Sequence, residues 1–286
     1  MSRNADIVAA WNTVLFDKFV RFRHLVVAGL SGHSDELFGR KPYAPGSRVL
    51  DIGCGFGDST LAIAKMVGPH GRAIGVDCAE NFIHAARGAA EDAQIGNAEF
   101  FVADVEQDDL HGAYDHAFAR FGTMFFTAPG AAMRNIARAL KPGGTLTQIV
   151  WRKREDNTWI HAAELRVREI VPVVKPEESD QLHCGPGPFS MAGPDMVSSL
   201  MKSAGFDQIR FERFDADICI GRDLDEAVEF AMTLGPTGEI MRLAGDEGVR
   251  LKPKVIAALR DTLSQFARSN GVWGPSSAWF ITARRP

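Results

Sequence analysis

Between positions 7 and 26 the apolar residues Ile7, Val8, Trp11, Val14, Leu15, Phe19, Phe22, Leu25 and Val26 recur at steps of three and four, with Asp17, Lys18, Arg21 and Arg23 between them. That spacing predicts one long amphipathic helix packed on its own domain. A polar connection containing Gly and Pro follows over 31–46. Short apolar runs at 48–52, 73–76, 99–103, 114–119 and 145–151 then predict strands, and the segments between them at 59–67, 80–91 and 131–140 predict helices. Strands separated by helices in this way make βαβ units, hence a parallel sheet with helices on both faces. After Trp151 the alternation lapses into helices at 158–171, 194–204, 223–234 and 253–269, a Pro- and Gly-rich loop over 172–194, and two strands at 208–214 and 278–282. The expectation is an α/β fold, a doubly wound, mostly parallel seven-stranded sheet with a mostly helical cap.

The expected organisation is an N-terminal helical lid over 1–44, a cofactor-binding core over 45–152 and a helix-and-loop cap over 153–206. Residues 207–286 supply the final strands of the core, with a helical insertion at about 222–272.

Composition narrows the function without naming it. The 286 residues are 45% hydrophobic, enough for a large core and incompatible with global disorder. Lys and Arg number 32 against 36 Asp and Glu, a formal net charge of −4, and no basic run is present, so nucleic acid is not the expected partner. Cys54, Cys78, Cys184 and Cys219 lie far apart with no CxxC pair. That argues for a reducing cytoplasm rather than a disulfide scaffold. No apolar stretch reaches the ~18 residues of a spanning helix, and the N-terminus has no basic-then-apolar signal pattern, so no membrane association is expected. His111 and His116 are too isolated for a metal site and no HExxH occurs, so no metal is expected.

The most informative stretch is Val49-Leu-Asp-Ile-Gly-Cys-Gly-Phe-Gly-Asp58, a predicted strand running into a glycine-rich turn and a helix. Glycines permit positive φ and close approach of a ligand to the main chain, and a helix N-terminus offers unpaired N–H groups. A dinucleotide fingerprint would place its third glycine at position 58, which is Asp58. A carboxylate there would repel a pyrophosphate, so an NAD(P)-dependent oxidoreductase is the weaker alternative. The P-loop ending is absent, and Gly29-Leu-Ser-Gly-His33 fails as a nucleophile elbow at its last position.

The Asp-x-Gly-x-Gly-x-Gly run at 51–57 resembles the class I S-adenosylmethionine-dependent methyltransferases, and four further positions agree in order and spacing. These are Gly75-Val-Asp77, Ala103-Asp104, Tyr114-Asp115 through Arg120-Phe-Gly122, and Leu140-Lys-Pro-Gly-Gly144, over roughly 45–152. The wording Ala119-Arg-Phe-Gly-Thr-Met-Phe-Phe126, with Trp151 and Trp159, is similar to the small-molecule branch that includes ubiquinone/menaquinone-biosynthesis-like methyltransferases. The resemblance implies a Rossmann-like fold binding S-adenosyl-L-methionine and releasing S-adenosyl-L-homocysteine. It also implies methyl transfer to an O, N or C atom of a small metabolite by in-line displacement.

The resemblance and the pattern together give cofactor candidates Asp51, Gly53, Cys54, Gly55, Gly57, Asp77, Cys78, Asp104, Val105, Arg120 and Phe121. Asp77 would accept the ribose hydroxyls and Asp104 would lie beside the adenine amino group. Asp51 shapes the loop, and Arg120 takes the methionyl carboxylate, an acidic substrate or a structural ion pair. Phe121, Met124, Phe125, Trp151, Trp159 and Phe189 are substrate candidates for a flat or apolar molecule, with core packing as the competing account of each. His161 and His183 are the general-base candidates in the cap. A catalytically silent cofactor-binding subunit is the other alternative, and a homodimer is left open.

Overall fold

The computed structural model describes residues 3–172 and 187–286. The chain opens with α1 (Arg3–Ala10), one π-helical turn (Trp11–Leu15), α2 (Phe16–Arg21) and α3 (Arg23–Arg40). The helical run is thus longer than the periodicity at 7–26 predicts, and it is broken at Phe22. The predicted polar connection at 31–46 is helical through Arg40 because His33, Ser34, Leu37 and Phe38 are buried there, which outweighs the poor propensity of its Gly and Ser residues.

Five strands follow, with helices between all but β3 and β4: β1 (Arg48–Ile52), α4 (Asp58–Val67), β2 (Arg72–Asp77), α5 (Glu80–Asp92), β3 (Ala98–Val102), β4 (Tyr114–Arg120), α6 (Pro129–Ala139) and β5 (Leu140–Trp151). Then come α7 (Thr158–Arg168), α8 (Pro194–Ser203), β6 (Asp207–Gly221), α9 (Leu224–Thr233), α10 (Pro236–Leu243), α11 (Gly245–Ser264), the two-residue β7 (Ala267–Arg268) and β8 (Gly271–Arg284).

The sheet order is β3-β2-β1-β4-β5-β8-β6, with β7 a short addition that pairs with β8. β1 to β5 pair in parallel, and β8 runs antiparallel between β5 and β6. This is the expected doubly wound sheet, with helices burying its faces. The central strands read as continuous apolar runs for that reason: Val49, Leu50 and Ile52 are all fully buried. β6 and β8 extend well beyond the predicted 208–214 and 278–282. Along the edge strand β6, charged residues such as Arg213, Asp215 and Asp217 alternate outward, and that polarity hides the strand from a hydrophobicity reading.

The strand order reverses between β1 and β4, so the crevice beyond their carboxyl ends is where such a sheet binds ligands. α1 to α3 from one end of the chain and α7, α9 and α10 from the other meet above that crevice. Among the described residues no helix is long and apolar enough to cross a membrane, and no group of His, Cys, Asp and Glu could hold a metal ion.

Candidate active site

The turn after β1 is tied to the end of β2. Gly53 and Cys54 donate their N–H groups to the Val76 carbonyl at 2.8 and 3.0 Å, and the Gly55 N–H reaches Asp77 Oδ2 at 3.1 Å. Gly57 has φ +82°, and a Cβ there would stand 2.8 Å from the Ala86 Cβ, so this position requires glycine on both counts. α4 begins directly after it with Asp58 in its first turn.

A cavity of about 840 Å³ opens over this turn. Gly53, Cys54, Gly55, Asp77 and Cys78 line it, and so do Asp104, Val105, Arg120 and Phe121. The sequence-derived cofactor residues therefore converge, with two exceptions. Gly57 lies under the turn. Asp51 is buried behind it, its Oδ2 accepting the hydroxyls of Ser59 at 2.7 Å and Thr60 at 2.6 Å. Burial pushes the Asp51 carboxyl up to about 6, against the opposing pull of those two hydroxyls. Its place is that of a brace for the turn.

Asp77 fits the ribose role. Oδ1 accepts the Ala79 N–H at 3.0 Å and Oδ2 the Gly55 N–H, which fixes the carboxylate against the cavity wall. Burial raises its carboxyl while the backbone N–H groups of Ala79, Gly55 and Cys78 oppose the rise. Asp104 is held by the Glu106 N–H at 3.0 Å and the Gln107 side-chain amide at 2.8 Å. Burial also pushes both thiols, Cys54 and Cys78, upward. They are inert sulfhydryls whose segments form the wall. The acidic and partly apolar lining suits a nucleoside bearing a sulfonium, with Asp77 on the side the ribose would take and the close-approach backbone of Gly53–Gly55 on the side of the amino-acid tail.

Arg120 is already engaged. Its Nη2 lies 2.5 Å from Asp58 Oδ2 and its Nη1 donates to Ser34 Oγ at 3.2 Å. The structural ion pair weighed from the sequence is present, and the guanidinium still borders the cavity.

The substrate candidates Phe121, Met124, Phe125, Trp151, Trp159 and Phe189 all line the same space. Phe121 has φ +57°, an uncommon conformation for a bulky residue, and its ring stacks on Trp151 with centroids 4.0 Å apart. His33, fully buried, meets both rings edge-on and sits 3.2 Å from Ser276 Oγ through Nε2. Burial first, then the Arg120 charge, lower its pKa to about 4. Of the two histidines named as bases, His161 is not in the cavity wall, since its neighbours Ile160 and Glu164 take that face of α7. His183 lies outside the described residues.

Sequence reasoning missed several wall residues. Trp11 joins Phe19 and Phe125 in edge-to-face contacts at 5.5 and 5.2 Å. Glu164 is 2% exposed and lines the cavity beside Arg154 and Arg168. Its signal was present, because it interrupts the buried stripe Trp159, Ala163, Val167 of α7.

Residues 49–144 match the family described as "methyltransferase domain". The ubiquinone/menaquinone biosynthesis C-methyltransferase of Pseudomonas fluorescens (strain Pf0-1) is 28% identical over 181 residues, 60% of this chain and 70% of its own. The fold is shared with the YcgJ protein of Bacillus subtilis (TM-score 0.57, 18% identity, 89% of this chain and 98% of that one). It is shared as well with Haemonchus contortus phosphoethanolamine N-methyltransferase 2 in complex with S-adenosyl-L-methionine (TM-score 0.50, 17% identity, 87% and 51%). With the glycine turn, the acid ending β2 and the cavity between them in place, residues 49–144 form the methyltransferase domain of an S-adenosylmethionine-dependent methyltransferase.

Proposed function

We propose that this enzyme methylates an O, N or C atom of a small, flat, largely apolar metabolite. The observation that carries this reading is the continuity of one cavity from the Asp77 wall to the stacked Phe121 and Trp151 rings and on to Trp159 and Phe189. An aromatic-lined space of this size accepts a ring system in van der Waals contact on both faces. The similarity to a C-methyltransferase of ubiquinone and menaquinone biosynthesis supports the same substrate class.

Bound S-adenosylmethionine supplies an activated methyl group, so the chain's own residues mainly bind and orient. Asp77 and the Gly53–Gly55 backbone hold the cofactor, Asp104 and Val105 border the base, and the aromatic wall aligns the acceptor. Trp11, Phe19 and Phe125 close the space from the N-terminal side and keep water from it. A reducing cytoplasm suits the free thiols Cys54, Cys78 and Cys219.

Thermal unfolding with S-adenosylmethionine, S-adenosylhomocysteine and NAD checks the cofactor half. Stabilisation by the first two alone is the expected result. A screen of hydroxyaryl and quinol compounds with the radiolabelled methyl donor checks the substrate half. Label transferred only to proteins or to strongly polar metabolites would refute the apolar-acceptor reading.

A further inference from the structure

Among the described residues Glu164 is the most deeply buried carboxylate of the cap, 2% exposed, in a wall that is otherwise mostly apolar. Both of its cationic neighbours attach to one oxygen. Arg154 Nη1 donates to Oε1 at 2.8 Å, and Arg168 donates to the same Oε1 from Nε at 2.9 Å and lies 2.8 Å away through Nη2. Oε2 is buried without a hydrogen-bond partner among the described residues. A buried acceptor left unpaired carries the full desolvation cost of its oxygen, which a hydrogen-bond donor on a ligand would offset. The Nε–H of Arg154, buried and likewise without an acceptor among the described residues, supplies a donor from a residue on the same wall.

We infer that Glu164, backed by Arg154 and Arg168, is a substrate anchor that reads a hydroxyl on the apolar acceptor. A hydroxyl has the matching valence, donating to Oε2 and accepting from a guanidinium N–H, and an ether or hydrocarbon does not. The inference rests on the apolar-acceptor reading above and sharpens it to a hydroxylated ring compound. A site built to bond a hydroxyl discriminates strongly against the analogue lacking its hydrogen, because the buried acceptor is then left unpaired. Glu164 also specifies the polarity. In Glu164→Gln the two arginines hold the amide oxygen, so an NH2 donor takes the place of the Oε2 acceptor.

The test is calorimetric titration of 2-naphthol and 2-methoxynaphthalene into the enzyme saturated with S-adenosylhomocysteine. The wild type is expected to bind 2-naphthol at least tenfold more tightly than the ether. In E164Q the ratio is expected to fall below threefold or invert, with S-adenosylhomocysteine affinity within twofold of wild type. Equal binding of the two probes by the wild type overturns the anchor and leaves the apolar-acceptor reading standing, and that comparison needs no variant to fold. Wild-type discrimination retained in E164Q overturns the assignment to Glu164. Binding of neither probe at millimolar concentration overturns the apolar-acceptor reading and the anchor with it.

Discussion

Arg120 at the end of β4 and Asp58 in the first turn of α4 stand 62 residues apart in sequence and meet at 2.5 Å. Asp58 places its carboxylate where a helix N-terminus favours negative charge, the position that a pyrophosphate would claim in a dinucleotide-binding turn. Arg120 balances it and, through Ser34, ties α3 to the same point. The residue that argues against NAD in the sequence is thus one half of the clamp joining the glycine turn, the sheet and the N-terminal helices.

Arg120→Met therefore leaves a half-buried carboxylate without its cation, and stability should fall by about 1–3 kcal/mol. Arg120→Lys should lose less, since it restores the charge but not the fork that reaches both Asp58 and Ser34. Urea unfolding of the two variants gives the order, and a methionine variant as stable as the parent would show that the pair contributes nothing.

Asp77→Ala removes the acceptor proposed for the ribose and also releases the Gly55 and Ala79 N–H groups. The affinity for S-adenosylmethionine and S-adenosylhomocysteine should drop by at least tenfold, on the order of 2–3 kcal/mol for two charge-assisted hydrogen bonds. Calorimetry measures this directly. A smaller loss would mean that the ribose is held elsewhere.

Gly57→Ala puts a methyl group 2.8 Å from the Ala86 Cβ and 3.0 Å from Phe100 in a backbone conformation that alanine disfavours. A destabilisation of about 1–3 kcal/mol is expected, together with weaker cofactor binding as the turn shifts. Denaturant midpoints and cofactor titration on the same preparation separate the two effects.

Trp11 lies on the π-helical turn and bridges Phe19 to Phe125, so it joins the N-terminal helices to the loop after β4 over the cavity. Trp11→Ala should weaken cofactor or substrate binding at least fivefold, while stability changes by under about 2 kcal/mol because the ring is only half-buried. Equal loss of binding and of global stability would make this contact part of the general core instead.

Much of the sheet and of the glycine turn was legible because those features are local. A buried parallel strand is a short apolar run, and Gly53, Gly55 and Gly57 are required by backbone geometry at their own positions. What could not be read depends on partners far away in sequence. Helix α3 continues through Gly32 and Gly39 because Leu37 and Phe38 find buried neighbours, Phe38 against Phe118 across the fold. β6 is long because β8 pairs with it over its charged outer half. Glu164 breaks the apolar stripe of α7, but which side of that helix turns inward is set by the rest of the fold. His33, read within a loop, is enclosed by Phe121, Trp151 and Phe214 from three different segments.

Two buried groups of the site impose opposite pH dependences on stability. The Asp51 carboxyl is raised from 3.8 to about 6, so between these values the folded state holds its proton more tightly than the unfolded chain, and stability falls as pH rises. The His33 imidazole is lowered from 6.5 to about 4, so across that range the unfolded chain binds the proton more tightly, and stability rises with pH. In the parent protein the two slopes largely cancel between pH 4 and 6. Asp51→Asn keeps an acceptor for Ser59 and Thr60 but cannot ionise, so its stability relative to the parent should improve by up to about 3 kcal/mol from pH 4 to pH 7. His33→Gln should do the reverse, losing stability relative to the parent over the same interval. Urea unfolding at half-unit pH steps on the three proteins measures both slopes. Parallel curves for parent and Asp51→Asn would mean that the carboxylate is satisfied where it sits.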